Sequence, residues 1–446
     1  MPGSGNSVSI PTSHHGLPPG SFVAMPSSQP DIHIVLYGAT GFTGRLVAEY
    51  LAESAPDGVR IALAGRSAEK VAGIRDGLGE AAAGWPIMVA DAADADSLAH
   101  MARHSRVVIS TVGPYATHGL PLVEACAAAG TDYVDLTGEV LFIRDSADRF
   151  DAAARASGAR IVHSCGFDSI PSDLGVFDLA QRVAADGAGS LQDTTLLVTK
   201  MRGGISGGTL ASGMAEMSAA RADPARKAVL RDPYSLSPNR DAEPDLGDQP
   251  DSKTSWFDDD LGQWVGPFFM AGINTRVVRR SNALLAYHYG REFRYRELMG
   301  LGTGPDAAAK GAALAGGTLG LGAIMSNEVT GKAATAVASK ALPKPGEGPD
   351  EETRRKGHFT MQIHATTTSG ARYVETVSAK GDPGYQATCV MLGEAALCLA
   401  LDSDRLPGVD GVLTPAAAFG SVLIDRLRRA GMTFDGGPAP EPTQES

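Results

Sequence analysis

Ile32-His33-Ile34-Val35-Leu36-Tyr37 runs directly into Gly38-Ala39-Thr40-Gly41-Phe42-Thr43-Gly44, and this stretch decides the fold. The first six residues are β-rich and apolar. After the glycines, Leu46, Val47, Tyr50 and Leu51 recur at helical spacing until the turn cluster Ser54-Ala55-Pro56-Asp57-Gly58. The order is strand, glycine loop, helix. Glycines let the backbone turn tightly and let a pyrophosphate approach the helix N-terminus, where the dipole favours an anion. The spacing is GxxGxxG rather than GxGxxG. Its place between strand and helix makes Gly38, Thr40, Gly41, Phe42, Thr43 and Gly44 candidate cofactor-binding residues.

The second strand, Val59 to Ala64, ends in Gly65-Arg66-Ser67. A site for NAD would want an acidic residue here for the ribose 2′-hydroxyl. A guanidinium and a hydroxyl suit a 2′-phosphate instead, so Arg66 and Ser67 predict NADP(H). Ser67 can equally cap the next helix.

The alternation continues outward. Trp85 to Ala90 reads as a strand ending at Asp91, on the expected adenine side. Val107 to Thr111 is a fourth strand, broken by Gly113-Pro114-Tyr115. Tyr133 to Leu136 and Ile161 to Ser164 complete six strands separated by helices. The pattern predicts an α/β chain with a Rossmann-type doubly wound parallel sheet over residues 31–175. Ligands gather at the carboxyl ends of such strands. Asp91, Thr111 and Gly113 complete the cofactor set, and Tyr115, His118, Glu139, Cys165 and Asp168 become site candidates.

Beyond residue 190 the character changes. Residues 176–384 are expected to form a second α/β domain containing antiparallel sheet, because His358 to Thr366 and Tyr373 to Val377 alternate about a Ser369-Gly370 turn. Residues 221–260 are rich in Pro and Asp without a period, as in a lid or mobile loop. Trp256 to Ala271 is dense in aromatics, as in an apolar pocket. Arg276, Arg279, Arg280, Arg291, Arg294 and Arg296 either meet an anionic substrate or carrier group or form a solvated strand face paired with the acidic loop. The uncharged run 311–325 reads as a close-packed helix pair or as a contact for a membrane surface or acyl chain; it is short for a span. Residues 385–435 read as two helices returning to the first domain, and 436–446 as a frayed tail.

Composition bounds the function. Of 446 residues, 43% are apolar, enough for a sizeable core, and the net charge of −12 argues against nucleic-acid partners. Residues 1–30 carry no Asp, Glu, Lys or Arg and read as a disordered tail, with His14 and His15 solvated. Cys126, Cys165, Cys389 and Cys398 form no CxxC pair. No metal site and no disulfide scaffold is therefore expected, and a cytoplasmic location is, with association at the inner face of the plasma membrane left open.

LYGATGFTG from Leu36, ALAGRS from Ala62, TVGPYATHGLPLVEACAAAGTDYVDLTGE from Thr111, CGFDSIPSDLG from Cys165, NTRVVRRSNAL from Asn274 and GVLTPAAA from Gly411 resemble the saccharopine dehydrogenase family, in its branch of trans-acting enoyl reductases. The resemblance runs from about residue 31 to 433. It implies a Rossmann domain, a discontinuous second domain and a nicotinamide cofactor. The branch implies reduction of a C=C bond in an acyl intermediate held on the acyl carrier of a polyketide synthase, in the synthesis of complex lipids and glycolipids. A homodimer is left open.

Hydride addition to the β-carbon of an enoyl thioester puts negative charge on the thioester oxygen, and a proton must then reach the α-carbon. Tyr115 is the expected donor to the oxygen, with His118 and Asp168 as candidate proton carriers. In the bland alternative Tyr115 only shapes the nicotinamide pocket and Asp168 only braces its turn. Competing readings are a C–N dehydrogenase of saccharopine type, whose polycarboxylate substrate needs fixed basic groups, and a non-catalytic NADP-binding scaffold at a lipid surface.

Overall fold

A computed structural model describes residues 32–203, 206–326 and 348–440. The amino-terminal tail expected over 1–30 lies outside the described residues.

Seven parallel strands form the first sheet. They are β1 (Ile32–Tyr37), β2 (Ile61–Gly65), β3 (Ile87–Val89), β4 (Ser105–Ser110), β5 (Asp132–Asp135), β6 (Arg160–Val162) and β13 (Gly411–Leu413). Their order is β13-β6-β5-β4-β1-β2-β3, a doubly wound arrangement whose order reverses between β1 and β4. Ile34 stands between Ile61 of β2 and Val107 of β4. Ile34, Val35 and Leu36 are all buried, because helices cover both faces of a parallel sheet.

Six strands were expected, and the seventh is a correction. Gly411–Leu413 is too short to register as a strand from its sequence. It forms because Gly411, Val412 and Leu413 find Arg160, Ile161 and Val162 alongside, and because Asp151 accepts the Val412 N–H at 2.8 Å.

The second sheet is mixed. It comprises β7 (Leu191–Arg202), β8 (Trp256–Asp258), β9 (Gln263–Pro267), β10 (Arg294–Gly302), β11 (His358–Thr367), β12 (Arg372–Lys380) and β14 (Thr433–Pro438). The order is β14-β12-β11-β7-β10-β9-β8. Only β7 and β10 pair in parallel; the other neighbours are antiparallel. β11 alternates as predicted, with Phe359, Met361, Ile363 and Ala365 inward. β14 replaces the first part of the expected frayed tail: its residues Thr433 to Pro438 pair with Ser378 to Tyr373.

The helix Ile170–Ala185 lies against the second sheet. A side chain at Gly175 would collide with Ile363 and Val377, so the glycine permits the close approach. The helix Thr388–Leu401 returns to the first sheet. Its Glu394 accepts a 2.6 Å hydrogen bond from the Tyr50 hydroxyl and is paired to Arg426 at 2.8 Å. It is apolar enough and, with the preceding turn, long enough to resemble a membrane span, but it is a core helix, mostly buried.

Residues 221–260 are not a free lid. The segment begins with the helix Pro224–Arg231 and then crosses the surface under the control of the helix Ala271–Leu284. Arg276, Arg279 and Arg280 are buried there and donate to backbone carbonyls: Arg276 to Leu230 at 2.7 Å, Arg279 to Pro233 at 3.3 Å, Arg280 to Leu236 at 2.5 Å. Arg276 also pairs with Asp251 at 2.9 Å. These three arginines are buried rather than solvated, but the expected pairing with the acidic segment holds for Arg276 with Asp251 and for Arg296 with Asp258 at 3.0 Å. A fork of donors saturates carbonyls that an irregular segment would otherwise bury unpaired.

The run 311–325 lies in one helix, Pro305–Ser326, rather than a helix pair. It packs on β9, where Leu314 meets Gly266, and its far end leaves Leu319 and Ile324 about half exposed.

Candidate active site

The glycine loop follows β1. Gly38 has φ +94°, in the left-handed region that glycine adopts without strain. A side chain at Gly44 would collide with the Gly38 carbonyl oxygen. Thr111, at the end of β4, secures the same turn by donating to that oxygen at 3.2 Å. Gly41 precedes the helix Phe42–Ser54, and neither a side-chain cap nor an acidic residue occupies that helix start. The first-turn amides thus remain available to an anion, and exposed Thr40 and Gly41 leave room for its approach.

Arg66 is exposed at the end of β2, and Ser67 caps the helix Ala68–Gly77 by accepting the Lys70 N–H at 3.3 Å. Asp91 sits at the end of β3 and accepts the Ala93 N–H at 3.0 Å. Tyr37 feels both Asp91 and Arg66, so these groups share one corner of the loop. Gly113 is exposed just beyond Thr111. The sequence-predicted cofactor residues therefore line the carboxyl ends of β1 to β4, and the cradle fits a phosphorylated dinucleotide.

A small cleft opens beyond the ends of β5 and β6. Leu136, Phe167, Asp168, Met201, Ser206, Thr209, Phe269, Met270, Pro383, Gly384 and Thr388 line it. The turn from Pro383 into the helix Thr388–Leu401 joins cleft to cradle. Its Tyr385 packs edge-on to Phe42 at 4.8 Å, and its Cys389 thiol lies 3.8 Å from the Thr43 carbonyl.

Asp168 is the one predicted proton carrier in this cleft. Burial, with a smaller contribution from the charge of Asp135, raises its carboxyl to about 7. Asp135 is itself fixed below the cleft, accepting from Tyr133 at 3.0 Å, Thr137 N–H at 3.1 Å and Ser164 N–H at 3.0 Å, with His163 Nδ1 at 2.7 Å. The Phe167 N–H donates to Thr388 at 3.0 Å, which ties the Asp168 turn to the second wall.

Tyr115 and His118 are placed elsewhere. The Tyr115 hydroxyl donates to the Ser110 carbonyl at 2.9 Å, its ring stacks obliquely on Phe142, and burial raises the phenol well above its ordinary value. It does not line the cleft, and its hydroxyl is engaged with Ser110. His118 is exposed at the end of the short helix Tyr115–His118. Glu139 instead holds this turn, accepting the N–H groups of Tyr115 at 2.9 Å and Ala116 at 2.7 Å and the Ser212 hydroxyl at 2.6 Å. Cys165 is fully buried. The hydroxyls that do line the cleft are Ser206, Thr209 and Thr388. No motif marks the first two beyond the Ser206 cap of the helix Gly207–Ala222.

Residues 34–162 match the family model described as the saccharopine dehydrogenase NADP binding domain. The apo structure of saccharopine dehydrogenase (L-Glu forming) from Saccharomyces cerevisiae superposes with a TM-score of 0.51 at 13% identity, covering 92% of this chain and 100% of that one, a likeness of fold. Fold and cradle define an oxidoreductase that uses NADP(H).

The curated relatives narrow the class. A trans-acting enoyl reductase of Mycobacterium bovis is 47% identical over 418 residues, covering 92% of this chain and 99% of its own. A trans-acting enoyl reductase of Mycobacterium ulcerans is 46% identical over 416 residues, covering 92% and 98%. The chain belongs to this family of saccharopine dehydrogenase-like enoyl reductases.

Proposed function

We propose that the protein reduces the C=C bond of an α,β-unsaturated acyl thioester presented on the acyl carrier of a polyketide synthase, in the synthesis of complex lipids. The observation that carries this reading is Asp168: a carboxyl raised to about 7, in a cleft walled by Phe167, Met201, Phe269 and Met270, beside the dinucleotide cradle. Gly38, Gly41 and Gly44 with Arg66 would hold NADPH, which when bound would supply the hydride for the β-carbon.

The apolar walls take the acyl chain and exclude water. Ser206 and Thr209 stand as donors to the thioester oxygen, where charge develops. Asp168 delivers its proton to the α-carbon and regains one from solvent. Near neutrality such a carboxyl populates both forms, as a recycling acid requires.

The C–N dehydrogenase reading needs cations for a polycarboxylate substrate. Among the described residues lining the cleft none is Arg or Lys. The test is NADPH oxidation with an enoyl-pantetheine thioester, set against NADP reduction with saccharopine. Turnover of the thioester, lowered at least about 100-fold in Asp168→Asn with NADPH affinity retained, is expected. Full turnover in Asp168→Asn removes that residue from the chemistry, and turnover of saccharopine alone removes the reading.

A further inference from the structure

We propose that the basic row in which Arg202 and Lys380 flank His358, extended by Lys200, is the docking surface for an acidic carrier domain that delivers the thioester. The proposal rests on the enoyl-thioester reading above and gives its partner a place to land.

The row is set by sheet register. His358 of β11 stands opposite Arg202 of β7 on one side and Lys380 of β12 on the other. Directly paired residues project from the same face of a sheet, and adjacent strands lie about 4.8 Å apart, so three basic side chains stand in line across about 10 Å. One pleat repeat along, Thr360 stands opposite Lys200 and Ser378. Lys200, Arg202 and Lys380 are exposed and His358 is half-buried. The intervening residues Met201 and Phe359 face the other way, into the protein, and Met201 lines the cleft.

The charges of this row are not consumed locally. Nearby Arg355 and Lys356 are paired with Glu351 and Glu352. Lys200, Arg202 and Lys380 form no ion pair among the described residues. Asp382, the nearest carboxylate along the chain from Lys380, accepts the N–H groups of Tyr385 and Gln386 at 3.1 Å each. Arg202 and Lys380 stand about 10 Å apart on either side of His358, with Lys200 one pleat repeat from Arg202, and an acidic partner relieves the repulsion among them. On a chain of net charge −12, an acidic partner is repelled by most of the surface, so a local cationic row selects where it lands.

The row also lies beside the cleft. Gly203, next to Arg202, is in such close contact with Pro383 that a side chain there would come within 2.8 Å of the Pro383 ring. Pro383 lines the cleft. A domain seated on the row would therefore pass its thioester arm around the end of β7, past Gly203 and Pro383, to reach the cleft on the other face. A broad, exposed row across three strands fits a convex acidic protein surface. It does not fit a lone phosphate, which needs an enclosing set of donors.

The test compares two substrates of the same enoyl group, one carried on a purified acidic acyl carrier protein and one on N-acetylcysteamine, which lacks any docking surface. In Arg202→Glu/Lys380→Glu, KM for the carrier-borne substrate is expected to rise at least tenfold, while kcat and both constants for the small thioester stay within twofold of the unaltered protein. KM for the carrier-borne substrate should also rise with salt in the unaltered protein and lose that dependence in the variant. Equal KM values for the carrier-borne substrate overturn the proposal. If neither substrate is turned over by the unaltered protein, the catalytic reading fails separately. Docking is then read from binding of the fluorescently labelled carrier, with loss in the variant expected. Binding to vesicles of anionic phospholipid, with none to the carrier, overturns it in favour of a membrane surface. The milder Lys380→Gln variant, expected to show an intermediate KM, separates lost charge from any misfolding of the double variant.

Discussion

Arg280 reaches from the helix Ala271–Leu284 to the carbonyl oxygen of Val412, 2.7 Å away, and ties the last parallel strand of the dinucleotide domain to a helix of the second half of the chain. Its other terminal nitrogen holds Leu236. Burial lowers its pKa to about 10, which leaves the side chain charged at neutrality, so two carbonyls share a buried cation. Arg280→Met keeps the volume and leaves both oxygens without donors. A loss of about 2–4 kcal/mol in urea unfolding is expected. A loss below about 0.5 kcal/mol would show that the strand and the 232–255 segment hold without it.

The hydroxyl of Tyr115 donates to the Ser110 carbonyl, and the residue lies outside the lining of the cleft. Tyr115→Phe is therefore expected to cost about 1 kcal/mol of stability and to leave kcat with an enoyl thioester within about twofold. A hundredfold loss of kcat at unchanged Tm would return the phenol to the chemistry.

Arg66 is exposed just past the tip of β2, whose last residues Ala64 and Gly65 include no acid for a ribose hydroxyl. Removing a charge-assisted contact to the 2′-phosphate costs about 1.5–3 kcal/mol. Arg66→Ala should weaken NADPH binding by about 10- to 100-fold in a fluorescence titration and leave NADH binding nearly unchanged. Equal weakening of both would place the guanidinium elsewhere on the dinucleotide.

Asp168, Asp173, Glu216 and Glu297 are each raised to about 7, in every case chiefly by burial. Unfolded, such groups titrate near 4. Between roughly pH 4 and 7 the folded chain therefore holds more protons than the unfolded one, and the stability these groups contribute falls as pH rises through that window. Calorimetry should show Tm higher at pH 6 than at pH 8. Glu297→Gln, whose one carbonyl oxygen can still accept from Asn274 while its amide donates to the Tyr295 hydroxyl, should flatten the slope. A Tm independent of pH over this range would contradict the burial of these carboxyls as acids.

The cradle was legible because its chemistry is local. Gly38, Gly44 and Thr111 fall at strand ends that the apolar runs mark, and the absence of an acid beside Arg66 needs no contact to be read. The substrate side was not. Tyr115 and Asp168 both follow strand ends, and nothing in their neighbours separates a phenol turned to Ser110 from a carboxyl turned into a cleft. The arginines after Asn274 misled for the same reason: a guanidinium at the surface and one satisfying Leu230 or Val412 are spelled alike.

The linear chain by itself determined the parallel sheet, the choice of phosphorylated cofactor and the alternating face of β11, because each depends on residues within one or two elements. The cleft depended on Leu136, Met201, Phe269 and Pro383 arriving from four separated segments. The cationic row depended on a register that pairs residues more than 150 positions apart. Burial and register are properties of packing between distant segments, so only the tertiary structure decided which carboxyl lies near neutrality in the cleft and which charges stand together at the surface.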